Sequence, residues 1–146
     1  MKGISMALLM GAFAAAHPAG AQTPTGTLRV RIECARSGPL YLIVVNEKNF
    51  KDTKKGVANA LIIIDDKMAE KGECIHEIRD LPHGVYGIKA FLDANGNGKM
   101  DTGIFGIPTE PWGMSWNGKK PMTRAPRFEE IAFTFDGDRD VALRIE

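Results

Sequence analysis

From Thr27 to Cys34 the chain alternates without a break. Leu28, Val30, Ile32 and Cys34 fall on one side, and Arg29, Arg31 and Glu33 on the other. Successive side chains of an extended strand point to opposite faces, so the pattern specifies a strand with one face in a core and one in water. The theme recurs along the chain. Leu40 to Val45 is a β-branched and aromatic run, and Val57 to Ile64 ends in Leu61-Ile62-Ile63-Ile64. Glu73 to Arg79 places Cys74, His76 and Ile78 on one side, and Val85 to Leu92 places Tyr86, Ile88, Ala90 and Leu92 together. Glu130 to Phe135 and Val141 to Ile145 flank Gly137. Ser37-Gly38-Pro39 and Leu81-Pro82-His83-Gly84 read as turns, and Asp65 to Gly72 as a turn or a short helical piece. The fold predicted is all-β: an antiparallel sandwich of about seven strands, of the immunoglobulin or transthyretin kind.

The first residues set the expected compartment. Lys2 is followed by an apolar stretch from Ile4 to Ala16, a His17-Pro18 break, and Ala19-Gly20-Ala21. That is the pattern of a secretory signal, with cleavage expected before Gln22 and a periplasmic or secreted product. The stretch is shorter than the roughly 20 apolar residues that span a bilayer. Residues 22–26 read as a disordered lead-in and 27–146 as one domain. With 19 basic and 18 acidic residues in all, loss of Lys2 leaves the chain formally neutral. This gives no electrostatic reason to expect nucleic acid or an anionic membrane as partner, and no later segment is long enough to span a membrane. The two cysteines, Cys34 and Cys74, lie on inward-reading strand faces, so an oxidising compartment predicts a disulfide between them.

The strongest chemical signal is Asp93-x-Asn95-x-Asn97-Gly98-Lys99-x-Asp101. Side-chain oxygens fall at positions 1, 3, 5 and 9, the Lys99 carbonyl at position 7, and a glycine at the sharp bend. Calcium takes six to eight oxygens at flexible geometry, and this spacing could wrap them around one point. Position 12 is Ile104, where an EF-hand has a bidentate glutamate, so the loop is of a different type. The alternative is a metal-free turn, because Asn and Gly tolerate left-handed backbone angles.

Thr102 to Phe128 is too long for an ordinary connection and is rich in Gly, Pro, Trp and Met. Phe105, Glu110, Trp112 and Trp116, with Met114 and Met122, could offer a binding surface for a protein, peptide or glycan. The alternative is that these aromatics fold back over the sandwich.

These segments together carry a resemblance. Leu81-Pro82-x-Gly84-x-Tyr86, the Asp93 loop, Gly106-Ile107-Pro108-x-Glu110-Pro111-Trp112-Gly113-Met114-Ser115 and Phe128-x-x-Ile131-Ala132-Phe133 resemble the bacterial domain-of-unknown-function family 2141. The family pattern has His where this chain has Leu92, Glu where it has Ala94, and Phe-Ser-Asn-Asn where it has Met114-Ser115-Trp116-Asn117. The resemblance implies export and a β-sandwich, and it implies no established activity.

Catalytic signals are sparse. His76 and His83 are isolated, and Gly113-Met114-Ser115-Trp116-Asn117 lacks the second glycine of a nucleophile elbow. The function expected is an exported binding or structural module stabilised by calcium. The rival is a periplasmic hydrolase that uses Glu110 beside the Asp93 loop.

Overall fold

A computed structural model describes residues 22–146. The expected signal segment, 1–21, lies outside the described residues. Eight strands and one short helix follow in order: β1 Thr25–Glu33, β2 Gly38–Val45, β3 Ala58–Ile64, α1 Asp66–Lys71, β4 Glu73–Pro82, β5 Gly84–Leu92, β6 Trp112–Met114, β7 Phe133–Phe135 and β8 Arg139–Arg144. They form two packed sheets, the all-β sandwich that the alternation predicts. One sheet has the order β4-β1-β8, and the other has the order β3-β2-β5-β6 with β7 also paired to β5.

Alternation explains the core between the sheets. Leu28, Val30 and Ile32 of β1 pack with Leu40, Leu42 and Val44 of β2 and with Ile88 and Leu92 of β5, all buried. The charged face of β1 turns to water, where Arg29 reaches Glu77 and Asp140 on the strands either side. β2 does not alternate, because both of its faces are covered. On its outer face Ile43 and Val45 form a second apolar cluster with Ile131, roofed by Phe50, Met114, Trp116 and Phe128.

The helix is short because it is stopped at both ends. Asp65 accepts a hydrogen bond from the Met68 N–H at 2.8 Å. Gly72, at φ 78°, returns its own N–H to the carbonyls of Met68 and Ala69.

One seam of the sandwich is stitched by backbone. After β8 the Ile145 N–H donates to the Glu33 carbonyl, while Glu146 and Trp112 exchange N–H···O bonds at 3.1 and 3.2 Å. The chain thus passes from one sheet to the edge of the other. A side chain at Gly113 would put its Cβ 1.9 Å from the Arg144 carbonyl oxygen, so only glycine allows this approach. Across the opposite seam the edges are β3 and β4, joined through α1.

Two expectations need correction. Thr25 and Gly26, read as lead-in, belong to β1 and face Pro82 and Leu81 beyond a bulge. Cys34 and Cys74 are free thiols. They do share the inner face, but the β1–β4 register sets Cys74 opposite Ile32, while the Cys34 N–H bonds the Gly72 carbonyl. The sulfurs are therefore diagonal neighbours. Diagonal positions on paired strands lie about 7–8 Å apart, at or beyond the reach of a disulfide. Burial, with Cys34 nearby, pushes the Cys74 thiol up from its ordinary range. Among the described residues no helix is long and apolar enough to cross a membrane.

Candidate functional site

The Asp93 loop begins where β5 ends. The Asp93 N–H donates to the Pro39 carbonyl at 2.9 Å, so the first residue of the loop is still fixed to β2. Its side chain is only 2% exposed. Oδ1 accepts from the N–H groups of Gly96 at 2.7 Å and Asn97 at 3.1 Å, and Oδ2 accepts from Gly98 at 2.7 Å. The backbone therefore curls around one buried carboxylate. Gly96 and Gly98 sit at φ 73° and 76°, the left-handed region that this curl demands and that glycine enters without strain.

Three of the predicted ligating side chains come together. The amides of Asn95 and Asn97 donate to the same oxygen, Asp101 Oδ2, at 2.5 and 2.7 Å. Their carbonyl oxygens turn the other way and accept from the N–H groups of Asn97 and Lys99. Both oxygens of Asp93 are engaged by backbone N–H groups instead. Among the described residues no three carboxylate, thiol or imidazole groups gather as a metal cluster.

Glu110 is the residue whose place sequence reasoning missed. It is 7% exposed and lies under the loop as a strut. Oε1 accepts from the Ala94 N–H at 2.8 Å and Oε2 from the Asp101 N–H at 3.0 Å. One carboxylate thus ties the two ends of the loop together. Both oxygens are committed to backbone donors, an arrangement suited to holding a loop and poorly suited to exchanging a proton with a substrate.

The remaining predicted residues do not form one surface. Trp112 and Trp116 meet edge to face at 6.1 Å, and Trp116 folds back over the second apolar cluster. Phe105 lies on a separate hairpin closed by the Thr102–Pro108 bridge, where it is 96% exposed. Ser115, which the sequence offers only within a segment too poor in glycine for a nucleophile elbow, is buried and links two elements. Its hydroxyl accepts from the Ile88 N–H at 2.8 Å and donates to the Ile131 carbonyl at 2.7 Å.

Beside the loop lies a groove of about 720 Å³ on the outer face of the larger sheet. Register makes its floor: Leu61, Tyr41 and Phe91 stand directly opposite one another across β3, β2 and β5. Tyr41 and Phe91 are stacked, with ring centroids 5.1 Å apart and planes 10° from parallel. Gly98, Lys99 and Met100 of the Asp93 loop form one wall, and Thr53 and Lys54 lie opposite. Lys89 holds that second wall by donating to the carbonyls of Phe50 and Asp52 at 2.8 and 2.6 Å. Burial draws its ammonium below the usual lysine range, with Asp52 acting in opposition.

Comparison with known proteins gives one match. The model of a family described as "Uncharacterized protein conserved in bacteria (DUF2141)" matches residues 30–142. No curated protein and no solved structure matches the chain.

Proposed function

The chain belongs to the DUF2141 family, and from that premise we propose that it is an exported binding module for a peptide or glycan, stabilised by calcium. The ligand would lie in the groove floored by Tyr41 and Phe91, and the Asp93 loop would hold the ion. The observation that carries the reading is the convergence of Asn95, Asn97 and Asp101 in the loop that walls this groove. If the two amides turn over, their carbonyl oxygens join Asp101 Oδ2 around one point. A cation removes the repulsion that such a cluster would otherwise carry, and calcium accepts this oxygen set at flexible geometry. The turn-over exchanges four local bonds for ligation: the two amide donations to Asp101 and the two accepted from the N–H groups of Asn97 and Lys99. Glu110 and Asp93 would supply the fixed frame rather than ligands.

The test is thermal unfolding of chelator-treated protein with added calcium. A ligand confined to the folded state adds about 2.7 kcal/mol at 100 times its dissociation constant. The melting temperature is expected to rise with calcium, less so with magnesium, and Asp101→Ala is expected to remove the rise. An unchanged melting temperature at millimolar calcium would reduce the loop to a turn.

A further inference from the structure

The described part of the molecule has several sheet edges, and all but one are guarded. An edge strand offers unpaired N–H and C=O groups to any other strand, and proteins blunt this with charges, proline or brevity. β4 carries Glu73, Glu77, Arg79 and Asp80 and ends in Pro82. β8 carries Arg139, Asp140 and Arg144. β6 and β7 are three residues each. β3 has none of these devices: Ala58–Ile64 is seven residues without a charge or a proline, and among the described residues it pairs with β2 alone. Its outer face leaves Leu61 56% and Ile63 62% exposed.

The ends of this strand differ in charge. Lys51, Lys54 and Lys55, with Asp52 among them, precede it and leave that end net positive, and Asp65 and Asp66 follow it, with Lys67 one residue further on; all seven are exposed. An antiparallel copy brings the start of one strand to the end of the other. We propose that two copies of this chain pair antiparallel along β3, joining their larger sheets into one and setting Lys54 and Lys55 of each copy beside Asp65 and Asp66 of the other.

Three features select a second copy over an unrelated strand. The opposed charges at the two ends make the edge self-complementary under a two-fold axis, as an isologous interface requires. Opposite residues of an antiparallel pair share a face, so pairing centred on Ala60 sets Lys54 and Lys55 opposite Asp66 and Asp65 of the other copy and lays each exposed Leu61 against the partner's Asn59. The same pairing satisfies the free backbone groups of both copies at once. The two grooves then lie on one continuous face, each bounded by its own Leu61. This assembly does not depend on whether the Asp93 loop binds calcium.

Size-exclusion chromatography with light scattering on the purified protein, over a range of concentrations, tests the proposal. The expected mass is twice that of one chain. Leu61 and Ile63 point to solvent, so Leu61→Lys with Ile63→Lys leaves the core intact; this variant is expected to keep the parent's circular dichroism and run at the mass of one chain. Lys55→Glu is expected to shift the equilibrium toward single chains, and Asp66→Lys added to it is expected to restore the dimer. A parent protein that remains a single chain at every concentration overturns the proposal. So does a dimer that survives both lysines, or a charge reversal that its partner reversal fails to rescue.

Discussion

Glu110 has the most consequential single position among the charged residues. Its two oxygens accept N–H groups from Ala94 and Asp101, sixteen and nine residues away, and are shielded from water. Glu110→Gln keeps one acceptor and turns an amide N–H₂ toward the other donor, so one buried N–H loses its partner. Bonds to a charged acceptor contribute about 1.5–3 kcal/mol, and a loss of that order is expected. It is read as a lower urea midpoint with unchanged slope. Sequence made Asp93 legible and left Glu110 open. The Asp93 partners lie within five residues and repeat at fixed spacing. Those of Glu110 depend on a hairpin whose return path no local spacing encodes. Spacing brought the two amides to Asp101, but it read their oxygens at that point, where the structure places their nitrogens as donors.

At the scale of elements, alternation found the long strands because each has one buried face. β6 escaped, since three residues carry no period and its place depends on Lys89, Ala90 and Phe91 beside it. Register across the sheet was also hidden: period two assigns a face to Tyr41, Leu61 and Phe91 but not their alignment in one row. Lys89 shows how such a face positions a loop. Its ammonium ties the carbonyls of Phe50 and Asp52 to the middle of β5 and stands 5.6 Å from the Phe50 ring. Lys89→Ala leaves those carbonyls to water and removes the cation from the ring. Amide hydrogen exchange is expected to accelerate through residues 47–56 and to stay at the parent rate in β1.

For the whole molecule, the pairing of first strand with last decides how the fold closes. β1 and β8 run parallel, Leu28 opposite Arg139 through Glu33 opposite Arg144, and Leu143 completes the core at 1% exposure. The Thr27 N–H also donates to Asp138, 111 residues away. Sequence patterning indicated a sandwich but not this order, because alternation says which way a strand faces and nothing about its neighbour. A chain ending at Asp138 lacks β8 and leaves one side of β1 unpaired. It is expected to lose the cooperative melting transition seen by circular dichroism. Time adds a further consequence. Loop-closure entropy must be met before such distant contacts reward it, so refolding is expected in milliseconds to seconds rather than microseconds. On the ribosome, β1 is made before the other described strands, and its pairing with β8 waits until all of them have been made. Until β8 arrives one side of β1 stays unpaired, and a sheet left incomplete is the more easily drawn out for passage through a narrow channel, as the proposed export would require.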